Sequence, residues 1–443
     1  MIACSTYCRP LKAWLCLRFF ITVSLLSTWI MSRSQNGFVQ SQNTQFFIDN
    51  QPYSFLGANL WFGMNLGSAG AGGDRHRLVR ELDRLQALGI NNLRIMAASE
   101  GPDDSPWRIS PTLQTAPGIY NEQLWEGLDC LLHEMGQRKM YAVVCLNNFW
   151  PWSGGMAQYL SWQTGETIPY PPPAPNGSWH EYMSYSAGFY RNEAASQAYE
   201  NFLREIILRV NSINQIAYKD DPTIMAWQLA NEPRGMRQGE AYFRWIKRSA
   251  QLIKQLDPHH LVSVGSEGHT SVKAFANNRF KEIHQLPEID YLTCHIWVQN
   301  WLWYQPKAHR RTYGRAKRKV RSYLKTHQRI AKKLDKPLVL EEFGMARDRN
   351  DHAPEAGTVH RDEYFDFVFG LVAESIQKGH GLVGCNFWAW AGEGRPREAR
   401  AIWQAGDDFI GDPPHEHQGW YSVYDTDEPT LKVIRKWAIG EER

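Results

Sequence analysis

The sequence predicts an α/β protein built as a single (β/α)8 TIM barrel, with long βα loops around an aromatic-lined cleft. Three observations predict it. From residue 47 onward, short apolar runs alternate with longer amphipathic stretches, the pattern of parallel strands joined by helices. Eight such runs can be placed along the chain, the number a closed barrel needs. The first run is followed by Gly57-Ala58-Asn59-Leu60-Trp61, which is not the Gly-rich turn expected of the alternative, an open doubly wound sheet.

The first strand is read at Ser54 to Asn59. A helix follows from Asp74 to Leu88, with Gly89 in the C-cap position. The second strand is Asn92 to Met96, and the next helix covers Asn121 to Met135. The third strand is Tyr141 to Leu146. In the helix read from Ser196 to Asn211, Tyr199, Phe202, Leu203, Ile206, Ile207 and Val210 recur at helical spacing and form one apolar face. The fourth strand, Thr223 to Leu229, precedes a helix from Glu240 to Leu256. The fifth and sixth strands are Leu261 to Gly265 and Tyr291 to His295. A basic helix spans Thr312 to Leu334. The seventh strand, Leu338 to Leu340, a helix from Arg361 to Lys378 and the eighth strand, Gly384 to Trp388, complete the set.

Composition sets the context. Hydrophobic residues make up 43% and charged residues 21% of the 443, enough for one large core. A net charge of +3 argues neither for nor against a polyanionic partner. The run from Phe19 to Met31, preceded by Arg9, Lys12 and Arg18, is too short for a comfortable membrane span, which needs roughly 20 apolar residues. Residues 1–37 are therefore read as a secretory signal or an uncleaved anchor, and residues 38–443 as one domain, secreted or periplasmic. Beyond that leader, Cys130, Cys145, Cys294 and Cys385 show no Cys-x-x-Cys spacing, so no zinc site is predicted and buried free thiols are expected.

Aromatic residues are abundant, with 19 each of Trp, Tyr and Phe. They concentrate in the segment from Asn147 to Asn192, read as an irregular loop. Disordered segments are poor in aromatics, so this one is expected to be ordered and to line something. The basic helix carries eleven Lys and Arg between Arg310 and Lys333. A solvated outer face is expected there, rather than a nucleic-acid site.

The fourth strand ends in Trp227-Gln228-Leu229-Ala230-Asn231-Glu232-Pro233. The seventh runs into Leu338-Val339-Leu340-Glu341-Glu342-Phe343-Gly344. Barrel enzymes place their reacting groups at the C-terminal ends of strands. Two carboxylates facing one bond are the minimum for hydrolysing a glycosidic linkage, one giving a proton and the other attacking carbon.

Asn231-Glu232-Pro233, with Glu342 followed by an aromatic residue and Gly344, resembles the acid/base and nucleophile motifs of glycoside hydrolase family 5. Leu146-Asn147-Asn148-Phe149-Trp150, Trp152-Ser153-Gly154-Gly155-Met156, Phe387-Trp388-Ala389-Trp390 and Gly392-Glu393-Gly394-Arg395-Pro396 resemble segments of that family's endo-β-1,4-mannanases. The resemblance implies retaining hydrolysis of internal β-1,4-mannosidic linkages in mannan, glucomannan or galactomannan, with Glu232 as acid/base and Glu342 as nucleophile. It implies no cofactor and no metal, and a monomer acting on mannan polysaccharide or manno-oligosaccharides. It also implies roles in sugar binding or positioning for Arg94, Asn148 (with Asn147 as its alternative), Asn231, His295, Trp297, Trp388, Trp61, Trp162 and Arg395. Trp388 would floor the sugar site and Arg94 would hold the nucleophile. His295-Ile296-Trp297 departs from the family's usual His-x-Tyr, leaving the tyrosine's contact to Trp297 or to another residue such as Tyr304. A β-1,4-glucanase, a mannan transglycosylase and a non-catalytic polysaccharide binder are the alternatives.

Three physical expectations follow. The two carboxyl groups should lie roughly 5–5.5 Å apart. The charge of Glu342 should raise the pKa of Glu232. Strand alternation should turn Glu341 outward to the helix layer, unless the strand end is bulged.

Overall fold

The computed structural model describes residues 37–438. The predicted leader lies outside the described residues. Eight parallel strands form one sheet: Phe55–Asn59, Asn92–Met96, Tyr141–Cys145, Ile224–Gln228, Leu261–Ser263, Leu292–Ile296, Leu338–Phe343 and Leu382–Phe387. They are the eight predicted runs, called the first to eighth strands below. Chain neighbours pair in parallel except the fifth and sixth, and the eighth pairs with the first. The fifth and sixth strands are tied by the Asp290 amide donating to Val262 O at 2.9 Å and the His295 amide donating to Glu267 O at 3.2 Å. The barrel is thereby closed.

The interior is filled by side chains, as strand alternation in a closed barrel requires. Phe55, Tyr141, Val143, Met225, Leu261, Tyr291, Val339 and Val383 form this inner core. It is plugged at the N-terminal end by an antiparallel sheet of three short strands, Gln40–Gln42, Gln45–Ile48 and Gln51–Tyr53, which contributes Phe46 and Tyr53. Helices cover the outside through a larger apolar cluster.

Helix ends follow their capping residues. Asp74 accepts from the Arg77 amide at 2.8 Å, and Gly89 takes a φ of 78° where the helix stops. The helix expected from Ser196 spans Glu193–Leu208, because Asn192, ahead of the first apolar residue, caps it through the Ala195 amide. The segment from Asn147 to Asn192 differs from its reading as irregular. It folds into helices Gly155–Thr164 and Trp179–Ser186, with 3-10 turns Pro151–Ser153 ahead of them and Ala187–Arg191 after them, and Tyr159, Tyr182 and Tyr190 are buried. The basic helix begins at His309. Nine of its eleven Lys and Arg are exposed, while Lys317 and Lys319 lie over the rings of Tyr313 and Trp303. A last helix, Glu428–Trp437, packs on Val359–Lys378. The four cysteines among the described residues are buried and free, as expected.

Candidate active site

Strand ends bring together residues far apart in sequence. Arg94, on the second strand, is buried and donates to four acceptors. Its Nη1 reaches Glu342 Oε1 at 2.5 Å and Asn59 Oδ1 at 3.1 Å. Nε reaches Gln228 Oε1 at 2.8 Å, and Nη2 reaches Asn231 Oδ1 at 2.8 Å. Burial disfavours the guanidinium, but Glu342 outweighs that cost and keeps it charged. The expected contact between Arg94 and Glu342 is thus present.

His295, on the sixth strand, sits between the two glutamates. Its Nδ1 lies 2.6 Å from Glu232 Oε1 and 3.2 Å from Glu342 Oε2. One oxygen of each glutamate and a ring nitrogen of His295 lie within 4.8 Å of one another. Such closeness fits the short carboxylate spacing of a retaining pair and leaves too little room for the water an inverting pair needs between them. The other oxygen of Glu232 accepts from Trp150 Nε1 at 2.7 Å. Glu232 itself adopts a φ of 49°, a left-handed conformation held by its amide bond to Gly265 O at 3.0 Å.

The electrostatics differ from the expectation at Glu232. Burial raises its carboxyl, but the hydrogen bond and charge of His295, with Arg234 and Trp150 behind them, reverse this and hold it at about 2. The expected rise caused by Glu342 is corrected, because His295 stands between the two carboxylates as their shared cation. Burial works against a charged His295 as well, yet the charge of Glu342 and the hydrogen bonds of the glutamates push its pKa well above the usual value.

At Glu341 the exception for a bulged strand end applies. The sixth and seventh strands pair Cys294 with Leu340 and then His295 with Glu342. Glu341 is thus the extra residue of a bulge, and both glutamates turn inward. Its oxygens each accept from Gln228 Nε2 at 2.8 Å, and it is fully buried.

A cavity of about 550 Å³ opens over Glu232 and Glu342, lined by Trp150, Trp152, Trp297, Trp388 and Trp420 among others. The Trp388 ring centroid lies 5.9 Å from that of Trp297. Arg234, stacked 4.8 Å from the Trp150 ring and bound through two nitrogens to Glu267, forms part of the wall. Burial raises Glu267 to about 7 even against this arginine. Glu416 also lines the cavity, its carboxyl raised by burial.

Of the predicted positions, Asn231, Glu232, Trp297, Glu342 and Trp388 border the cavity. Arg94 and His295 stand directly behind the pair. Asn148 lies one shell back, its Oδ1 accepting from Asn231 Nδ2 at 3.2 Å, so it orients Asn231. Three positions are corrected. Trp61 is buried, donating from its indole to Gly411 O at 3.0 Å and packing on Trp152. Trp162 packs on Tyr159 within its own loop. Arg395 is consumed by Asp425 at 2.7 Å and two backbone carbonyls. The Tyr304 hydroxyl shares a hydrogen bond with His309 Nδ1 at 3.2 Å, and Trp297 packs on Tyr421. Among the described residues, the side-chain partners of Glu342 are Arg94 and His295, so neither Tyr304 nor Trp297 takes over the missing tyrosine's contact. Sequence reasoning missed Arg234 and Glu267. The signal for Arg234 was its place next to Pro233; Glu267, after the short fifth strand, offered none.

A closed (β/α)8 barrel with paired glutamates ending its fourth and seventh strands is the framework of a retaining glycoside hydrolase. Comparison with known proteins narrows this. A family model described as GH family 5 beta-mannosidase-like matches residues 36–440. A glycoside hydrolase family 5 mannosidase from Rhizomucor miehei has a solved structure that is 40% identical, with a TM-score of 0.83, covering 91% of this chain and 97% of its own. A putative mannan endo-1,4-beta-mannosidase 4 of Arabidopsis thaliana is 29% identical over 399 residues, covering 86% of this chain and 90% of its own. An endo-1,4-beta-D-mannanase from Thermotoga petrophila, 24% identical with a TM-score of 0.63, shares the fold. The chain belongs to glycoside hydrolase family 5, in its β-mannosidase-like group.

Proposed function

We propose that the protein hydrolyses β-1,4-mannosidic linkages by double displacement. The observation that carries this reading is the Glu232–His295–Glu342 cluster at the floor of an aromatic cleft. Glu342, oriented by Arg94, attacks the anomeric carbon. Glu232 gives a proton to the departing oxygen, and the covalent glycosyl-enzyme is then opened by water that Glu232 deprotonates. Because Glu232 rests as a carboxylate, its proton comes along the 2.6 Å hydrogen bond from His295 Nδ1. Mannose specificity is supported by the names of the relatives and by the Rhizomucor miehei enzyme, a variant of which was solved with mannosyl-fructose.

One contact favours a second reading of where chains are cut. Trp179, in the loop after the third strand, packs edge-on against His415, in the loop after the eighth, at 5.9 Å. The first and second strands lie between those two in the barrel order, so the contact arches over that side of the mouth. An arch there limits the sugar units held on that side and favours cutting at chain ends over cutting within them. The test is the product profile on mannohexaose, with carboxymethylcellulose as a control. Mannose released from the first minutes supports end cutting, and mixed mannobiose and mannotriose support internal cutting. Hydrolysis of carboxymethylcellulose without any of mannohexaose would overturn the mannosidic reading. We further propose an exported monomer that binds no nucleic acid. Export is supported by the basic residues ahead of the apolar run Phe19 to Met31, and the last point by the reading of the basic helix as an outer barrel helix with a solvated face.

A further inference from the structure

We propose that Glu341 is a positioning residue for this reaction, fixing the orientation and charge of His295 from beneath. The proposal rests on the acid/base reading of Glu232 and extends it.

The bulge supplies the geometry. A regular strand would place one of two adjacent glutamates outside the barrel. Here the pairing skips Glu341, and its fully buried carboxylate lies under the site. Its direct hydrogen bonds come from the neutral Gln228 amide at 2.8 Å and the Tyr291 hydroxyl at 3.4 Å. Its nearest cations are Arg94, with Nε 3.8 Å from Oε2, and His295, with Nε2 3.7 Å from the same oxygen. An anion held by neutral donors in a dry interior needs such cations.

His295 has the complementary need. Its Nε2 is buried without a hydrogen-bond partner, and the group it faces is Glu341. A lone pair on Nε2 would confront a carboxylate, whereas a proton there is attracted to it. With Nε2 protonated, Nδ1 faces Glu232 and Glu342, and the second proton moves along one 2.6 Å bond. That proton passes from Nδ1 to Glu232 and on to the leaving oxygen. When Glu232 later takes a proton from water, it returns to Nδ1, so the cycle balances.

The other charged groups around the imidazole are accounted for. Glu232 and Glu342 face Nδ1, while Arg94 from the second strand opposes a positive ring. Glu267, after the fifth strand, favours the cation but is neutralised by Arg234. Cys294 and Tyr291, on the ring's own side of the barrel, are held protonated by burial. Glu341 is therefore the carboxylate that faces the Nε2 side, with Arg94 as its other cation.

The test compares wild type, Glu341→Gln and Glu341→Asp. The folded Glu341→Gln enzyme should show the alkaline limb of its kcat/KM profile moved down by about one pH unit or more, because His295 loses its proton sooner. Glu341→Asp keeps the charge and should return the limb toward wild type. A loss of activity equal at every pH, with the limb unmoved, contradicts the proposal and leaves Glu341 a packing residue. The 15N resonances of His295 in the wild-type enzyme give a readout independent of folding of the variants. A protonated Nε2 near neutral pH supports the proposal, and an unprotonated Nε2 overturns it. The same spectrum decides the matter even if the wild type hydrolyses no β-mannoside, so failure of the functional reading is separately visible.

Discussion

At Glu232, burial and neighbouring charge oppose each other, and the neighbours win. A lone buried carboxyl would rest protonated. The His295 contact at 2.6 Å favours its carboxylate form. The assignment of roles can be separated chemically. Glu232→Ala should lower turnover of an unactivated mannoside by about 10²–10⁴-fold. An aryl mannoside with an activated leaving group needs little proton help, so its first step survives and the intermediate accumulates. Azide should then speed turnover and give the β-azide, through two inversions. On Glu342→Ala, azide enters once and gives the α-azide. NMR of the two products checks both roles, and exchanged configurations would mean the roles are reversed. The glutamates were legible because each closes an apolar strand within a distinctive motif. Trp61, Trp162 and Arg395 misled because a residue type does not show which way its side chain turns. Trp61 faces Gly411 and Trp152, and the charge of Arg395 is spent on Asp425. Glu341 misled because a bulge is invisible to a period-two reading of the strand.

Among the elements, the eight strands were readable because each is an apolar run buried along its length. The N-terminal sheet was not, since Gln40–Gln42 and Gln51–Tyr53 are short and mostly polar, with a single buried side chain in Tyr53. The helices of the segment from Asn147 to Asn192 were hidden by Gly154-Gly155 and the prolines between them. The final helix Glu428–Trp437 did carry a signal in the spacing of Leu431 and Ile434. The small sheet has a structural duty that can be measured. Phe46 is fully buried and meets the Tyr291 ring edge-on at 5.4 Å beneath the barrel. Phe46→Ala should cost about 3–5 kcal/mol in urea unfolding. Activity at 25 °C should be retained, because the substitution lies at the end of the barrel opposite the cleft. Loss of activity in a folded Phe46→Ala protein would show that the plug also shapes the site.

For the whole molecule, one sheet closed on itself sets the chemistry. Closure converges the ends of the second, fourth, sixth and seventh strands, so that Arg94, Glu232, His295 and Glu342 meet although they span 248 residues of sequence. Loops from opposite sides then wall the cleft with tryptophan. The central claim is that Glu342 and Glu232 act in sequence through a covalent intermediate, which fixes the stereochemistry of the first product. Proton NMR, begun within seconds of adding enzyme to mannotriose, reads the anomer released before mutarotation. The β-anomer of the sugar to the non-reducing side of the cut should appear first and decay toward the equilibrium mixture. First appearance of the α-anomer would mean a single inversion and would contradict the account.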